Sequence, residues 1–213
     1  GALGAFTVTA SAAGLAPLVM FNAAITPLDA PTNVVATALT STSVSITWSA
    51  SAGATSYEVV RTGAGGSLTS LGTTGSSPFT DSLASADTAY LYQVRAVAPG
   101  TSSYSAVDLA TTSAFSDPLL PGIAAKAAHF TELRGAINAV RALAGLGSYA
   151  FTDAALSSGL LVKAVHLTDL RAALDSARAT LLLPAMIYTH PTVTPGSSVI
   201  SAADVSELRD GVK

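Results

Sequence analysis

The sequence has 213 residues, of which 49% are hydrophobic and only 11% are charged, and its formal net charge is −3. Abundant apolar residues with so little charge exclude a disordered chain, and the lack of a basic surplus excludes nucleic acid or an anionic membrane surface as a partner. Because cysteine is absent, disulfide bonds and thiolate metal sites are excluded as well.

Two short strands, Phe6–Ala10 and Leu18–Ile25, are predicted in residues 1–29 from their apolar residues and from the turn-like residues between them. The apolar run around the second strand contains Pro17 and Asn22 and is too short to cross a bilayer, so we predict no membrane span. A hairpin of two strands is marginally stable alone and needs a further sheet to join.

The Val8-Thr9-Ala10 strand, followed by Gly14 and a second strand, resembles the last two strands of a bacterial immunoglobulin-like domain. The resemblance implies an orphan strand pair that completes an immunoglobulin-like sheet of a neighbouring subunit by strand addition. Six apolar side chains would make the assembly contacts: Phe6, Val8, Leu18, Val19, Phe21 and Ile25. Two alternatives stay open, because the pair could instead pack on the sandwich of its own chain or form a disordered tail.

Residues 30–113 show short period-two strands separated by Gly, Ser and Pro, which is the pattern of a β-sandwich. The predicted strands are Asn33–Leu39, Ser43–Ser49, Ser56–Thr62, Leu68–Thr73, Phe79–Asp81, Ala89–Ala98 and Tyr104–Ala110.

Four features of this region carry a more specific resemblance. Pro31 opens the first strand, Trp48 lies on the second, Tyr57 lies on the third, and Tyr90 belongs to a Thr-x-Tyr-x-x-x-Val-x-Ala run. Together they resemble a fibronectin type III domain across residues 30–112. The resemblance implies that Trp48 is a core residue and that Tyr90 forms a tyrosine corner, its hydroxyl bonded to nearby backbone.

A six-residue motif typical of the start of a helix occurs three times in residues 114–213: His129–Arg134, His166–Arg171 and Asp204–Arg209. A fixed period of 37 or 38 residues indicates a repeat array in which no unit can bury a core alone. We therefore divide the region into 114–150, 151–187 and 188–213 and predict a small bundle of three helices. The repeat resembles ones at the C-terminal ends of secreted bacterial surface proteins.

The third repeat sets the helix register, because Ser201 and Asp204 form a capping-box pattern with Ser201 as N-cap. By alignment, His129 and His166 take the same third helical position in the first two repeats. A lysine replaces the N-cap serine in both, so those two helix starts must be satisfied in another way.

Comparison of the repeats predicts a hydrogen bond between the loop and the helix of each repeat, which we call the loop-to-helix clasp. The loop residue and the third helical residue are Asp and His in the first two repeats, and they exchange identities in the third. Such an exchange preserves a direct hydrogen bond, since donor and acceptor only trade sides. The predicted pairs are Asp117–His129, Asp153–His166 and His190–Asp204. Alternatively both positions are solvated, or a metal ion bridges them.

Catalytic chemistry has little support in the sequence. The His-x-x-Glu and His-x-x-Asp pairs place two potential ligands on one helix face, but the third copy has Asp204 in the histidine position. No nucleophile elbow surrounds a serine. We therefore predict no catalytic residue, no metal site and no cofactor.

The sequence as a whole predicts a multi-domain fold, with a fibronectin type III or immunoglobulin-like β-sandwich followed by an all-α repeat bundle. Its function is predicted to be that of a non-catalytic structural protein, extracellular or on the surface of a bacterial cell. The main hypothesis is a filament subunit that self-associates into a homopolymer. The alternative is an accessory module of a larger secreted enzyme, for carbohydrate binding or adhesion to surface glycans.

Overall fold

The computed structural model describes residues 7–8, 21–22, 27–117, 125–156 and 161–213. A two-stranded antiparallel sheet comes first, formed by β1 (Thr7–Val8) and β2 (Phe21–Asn22). Of the residues predicted to make the assembly contacts, Phe6, Leu18, Val19 and Ile25 lie outside the described residues, and Val8 and Phe21 are described by their strand assignment alone.

Seven further strands form a β-sandwich: β3 (Thr32–Thr40), β4 (Ser43–Ser49), β5 (Ser56–Thr62), β6 (Leu68–Thr74), β7 (Phe79–Asp81), β8 (Ala89–Val97) and β9 (Asp108–Thr111). One sheet has the order β3-β4-β7 and the other the order β6-β5-β8-β9, and every pairing is antiparallel. The predicted fold class is confirmed: this part of the chain is a fibronectin type III-like sandwich.

The core of the sandwich holds both aromatic residues singled out in the sequence. Trp48 is buried beside Tyr57, with a ring-centroid distance of 5.3 Å. The hydroxyl of buried Tyr90 accepts a hydrogen bond of 3.0 Å from the backbone N–H of Ser85, five residues upstream. Both rings therefore fix the packing between the two sheets.

The last strand is shorter than predicted, beginning at Asp108 instead of Tyr104. Side-chain hydroxyls replace backbone carbonyls as partners of β8 in this stretch. Ser105 Oγ accepts from Val94 N at 3.0 Å, and Ser102 Oγ accepts from Ala96 N at 2.9 Å. Serine hydroxyls that bind backbone amides compete with the regular ladder, so the chain runs beside β8 here without forming a strand.

Three helices follow in the described part of residues 125–213: α1 (Ala127–Leu143), α2 (Ala164–Thr180) and α3 (Ala202–Gly211). Their apolar faces meet in one core that includes buried Leu133, Leu170 and Leu208, the leucines of the three motifs. None of these helices combines the length and the apolar content of a membrane-crossing segment.

The bundle also packs against the sandwich. Helix α1 contacts strands β8 and β9, and sandwich residues Ala89 and Leu109 are buried in the same apolar cluster as Phe130 and Leu133 of the bundle. Both Ala89 and Leu109 are at most 2% exposed. The helices therefore cover the part of the larger sheet formed by β8 and β9, and the two domains share a core.

Candidate functional site

The third residue of every helix accepts a hydrogen bond from the backbone N–H of the N-cap residue. The three bonds are Lys126 N to His129 Nδ1 (3.1 Å), Lys163 N to His166 Nδ1 (3.1 Å) and Ser201 N to Asp204 Oδ2 (2.8 Å). Histidine thus performs the capping-box role that an acidic residue usually performs. A lysine ammonium has no lone pair to offer the first turn. The histidine bonds therefore explain how those two helices begin without a serine N-cap.

The hydrogen bond at Nδ1 also sets the tautomer of each buried histidine. Because Nδ1 accepts the backbone proton, the ring proton of neutral His166 resides on Nε2. His166 Nε2 lies 3.0 Å from Asp153 Oδ2 and donates to it. In the third repeat the direction is reversed: His190 Nδ1 lies 3.1 Å from Asp204 Oδ1 and donates to the helix residue. The exchange of identities thus leaves a hydrogen bond at the same place.

The first repeat has the longest of the three contacts. His129 Nε2 lies 3.4 Å from Asp117 Oδ2, and among the described residues this nitrogen has no hydrogen bond of regular geometry. All three predicted pairs are brought together, with the closest contacts in the second and third repeats. The stabilising role of the clasp remains a prediction.

Two lysines that the sequence analysis treated only as N-caps take part in the clasps. Lys126 Nζ lies 2.5 Å from Asp117 Oδ2, and Lys163 Nζ lies 2.6 Å from Asp153 Oδ2. These ammonium groups, followed by the histidine rings, hold the pKa of both carboxyl groups below the ordinary value. Each loop carboxylate therefore stays charged and is shared between a lysine and a histidine.

The acidic residue that precedes the leucine of each motif binds the loop of its own repeat. The bonds run from the backbone N–H of the loop hydroxyl residue to the helix carboxylate: Ser116 to Glu132 (3.0 Å), Thr152 to Asp169 (2.7 Å) and Thr189 to Glu207 (2.9 Å). In the sequence, Glu132 and Asp169 stand out only as potential metal ligands. Their recurrence beside an equally recurrent loop hydroxyl residue was the signal that could have identified the contact.

The arginine of the motif binds the loop of the following repeat. Arg134 donates to the carbonyl oxygens of Thr152 (2.7 Å) and Asp153 (2.9 Å). Its guanidinium carbon also lies 5.0 Å from the ring centroid of Phe151, a cation–π contact. The first helix is thus joined to the second loop.

The second helix is joined to the third loop in the same way. Arg171 donates to His190 O at 2.6 Å and to Asp204 Oδ1 at 2.9 Å, and it lies over the ring of Tyr188 at 4.2 Å. Asp204 is only 1% exposed. Burial alone would raise the pKa of Asp204, but hydrogen bonds from Ser201 and His190 outweigh it and lower this pKa.

The third arginine returns to the first repeat and closes a ring. Arg209 donates to Asp117 O at 3.0 Å, lies 3.4 Å from Glu132 Oε2, and covers the Phe115 ring at 4.6 Å. The partners Arg209 and Asp117 are 92 residues apart in sequence. Each of the three helices therefore contacts the other two, and each loop is held by its own helix and by the preceding one.

Most of the polar groups described above are engaged in hydrogen bonds with one another or with the loops. The imidazole of His166 accepts a backbone proton at Nδ1 and donates its own proton to Asp153 at Nε2, so it has no free lone pair for a third group. Among the described residues, no three His, Asp or Glu side chains converge in a way that could hold a metal ion. The arrangement is therefore suited to fixing loops on helices.

Comparison with known proteins gives partial matches. No protein-family model matches the sequence. The chain is 47% identical over 89 residues to a poly(3-hydroxybutyrate) depolymerase from Ralstonia pickettii, a match covering 40% of this chain and 17% of the relative. The chain thus corresponds to less than a fifth of the length of that relative.

Among solved structures, the chain is similar to a fibronectin type III-like protein from Clostridium thermocellum, with 33% identity. The match covers 39% of this chain and 92% of that chain, with a TM-score of 0.37. It is also similar to the FN5 domain of Drosophila Lar, with 24% identity, coverage of 40% and 96%, and a TM-score of 0.36. Each of these two matches thus covers about two fifths of this chain.

The donor–acceptor exchange can be transplanted from the third repeat to the second. His166→Asp alone should destabilise the protein by about 1–3 kcal/mol, because it places a buried carboxylate opposite that of Asp153 and removes the hydrogen bond between the two residues. Combining it with Asp153→His and Lys163→Ser reproduces the chemistry of the third repeat and should restore most of the loss. Urea denaturation measures both variants, and a triple variant no more stable than His166→Asp would contradict the clasp.

The buried Asp204 should make the protein sensitive to acid. Because its folded-state pKa is depressed, the unfolded chain binds the proton first, so stability is lost as the pH falls below about 4. Asp204→Asn should lower stability at neutral pH and flatten this acid dependence, measured by urea denaturation between about pH 7 and about pH 2.5. Asp210→Asn, an exposed change in the same helix, is the matched control and should leave the pH profile unchanged.

Proposed function

We propose that this chain is an extracellular, non-catalytic structural protein whose sandwich and bundle act as one stiff segment between neighbouring parts of an assembly. The observation that carries the proposal is the shared core, in which Ala89 and Leu109 of the sandwich are buried with Phe130 and Leu133 of the bundle. Domains joined by small polar interfaces move relative to each other by default. A common apolar core opposes that motion.

The use of the polar groups supports the same role. The charged side chains of the repeat motif bind loops of the same molecule, as described for Glu132, Arg134 and their equivalents. These groups stabilise the ring and are occupied there. A protein in which the repeated charged side chains bind other parts of the same molecule is suited to maintaining a shape.

The assembly in which the segment works is proposed from the partial relative. Similarity to part of a poly(3-hydroxybutyrate) depolymerase favours a segment of a secreted, polymer-degrading enzyme, where it would act as an accessory module beside the catalytic part. Contact with the polymer itself, or with surface glycans, would then be made by this module or by its neighbours.

A filament subunit is the second candidate, favoured by one observation. Strands β1 and β2 form a sheet of their own and are paired with neither sheet of the sandwich in the described part of the chain. A two-stranded sheet gains stability when a partner sheet covers it. Strand addition to a second copy would supply that partner and join subunits into a homopolymer.

The stiff-segment proposal predicts that the two domains unfold together. Residues 1–213 should give one calorimetric transition, and Leu109→Asp should split it in two, because a carboxylate placed in the shared core separates the domains. Leu39→Asp is the matched control, since Leu39 is 58% exposed, and should keep one transition. Two independent transitions in the unmodified protein would contradict the proposal.

The same preparation addresses the catalytic question. Incubated with poly(3-hydroxybutyrate) particles, the protein should release no 3-hydroxybutyrate. Binding to the particles without release would favour the accessory-module form of the proposal, and release of product would refute its non-catalytic part.

The filament candidate predicts an effect of removing residues 1–25. If strand addition joins subunits, a protein of residues 1–213 should form polymers that grow with concentration, whereas the shortened protein should remain monomeric with the sandwich folded. Analytical ultracentrifugation and electron microscopy measure both. A protein of residues 1–213 that stays monomeric at all concentrations, or a shortened protein that still polymerises, would refute this candidate.

A further inference from the structure

We infer that the contact between Arg209 and the first repeat is a mechanical latch, which carries tension past the repeat ring when the ends of the chain are pulled apart. The inference rests on the proposed function, in which neighbours attached to both ends of a stiff segment exert force on it. The latch consists of Arg209 with Phe115, Asp117 and Glu132.

The latch joins the part of the chain that leaves the sandwich to the last helix of the bundle. Arg209 donates to Asp117 O at 3.0 Å, and its guanidinium carbon lies 4.6 Å from the Phe115 ring centroid. Tension that enters at residue 113 and leaves beyond residue 209 therefore loads this contact directly. The 92 residues that separate Arg209 from Asp117 along the chain are bypassed.

Both sides of the latch are anchored. On the loop side, Glu132 of α1 accepts from Ser116 N at 3.0 Å, and its other carboxylate oxygen lies 3.4 Å from Arg209 Nη2. On the helix side, the neighbouring residues Leu208 and Val212 are fully buried. Opening the latch therefore requires breaking charged contacts and withdrawing apolar side chains from the core at the same time.

The sandwich end of the path is fixed as well. Buried Thr112 donates from its backbone N–H to Thr88 O at 3.0 Å, and its hydroxyl donates to Ser85 O at 2.5 Å. Only two residues lie between Thr112 and Phe115 of the latch. The sandwich thus passes tension to the latch through a very short stretch of chain.

The other two arginine contacts lie inside the bypassed segment. Arg134 binds the second loop with carbonyl and cation–π contacts of the same kind, and Arg171 binds the third loop. Along the backbone, neither contact carries tension until the latch has opened. The three arginine contacts are chemically similar, but only the Arg209 contact carries tension first. This order distinguishes a latch from a contact that only adds stability.

Single-molecule force spectroscopy on the full chain, with handles at both ends, tests the latch. The bundle should open in one event that releases about 330 Å of chain, from 92 residues at about 3.6 Å each. Arg209→Ala should raise the opening rate at a given force at least about tenfold, the effect of losing one hydrogen bond to a charged group. Arg134→Ala should lower the thermal stability about as much as Arg209→Ala does, but it should leave the opening rate under force unchanged.

The outcomes are clear-cut. Equal acceleration by Arg134→Ala and Arg209→Ala, or none by Arg209→Ala, would overturn the latch. If Arg209→Ala fails to fold, Arg209→Lys keeps the charge but loses the planar stacking and paired donors, and it should accelerate opening more than Arg134→Lys does. The measurement is independent of the calorimetric and polymer assays, so the latch and the proposed function can fail separately.

Discussion

A single amphipathic helix cannot bury its apolar face alone, and each repeat of this protein depends for that reason on both of its neighbours. Leu133, Leu170 and Leu208 meet in a common core, while the arginine that follows each leucine reaches the loop of the next repeat. Apolar burial supplies most of the stability, and the arginines determine which loop each helix binds. The result is a ring in which the third unit supports the first.

The start of each helix shows how two different residues can satisfy one requirement. The third helical position must accept the backbone proton of the N-cap and must also present a second polar atom to the loop. Histidine does so with two ring nitrogens and Asp204 with two carboxylate oxygens. The loop residue then supplies whichever partner is missing, which is why Asp and His exchange together.

Most of the sandwich could be predicted because alternation of apolar residues identifies which face of a strand is buried, as at Tyr90 and Tyr92. The start of β9 could not, because Ser102 and Ser105 replace ladder bonds with side-chain bonds and keep a strand-like sequence. Within repeats, the clasp pairs followed from a coupled exchange. The arginine contacts did not, because a period reveals equivalent positions without revealing whether a side chain reaches its own loop or the next one. The contact of Arg209 with Asp117 depends on how the three helices pack together, which the sequence pattern does not reveal.

A closed ring of repeats tolerates a change in the number of repeats less well than an open repeat stack does. An open stack accepts another unit at either end with little change, because each unit contacts only its neighbours. Here the last unit already occupies the place where a fourth would be added, so insertion or loss of one repeat changes the curvature needed at every junction. The ring also brings its first loop and third helix together. A circularly permuted bundle, with these ends joined and the chain reopened in the turn at residues 145–147, would keep the same set of neighbours.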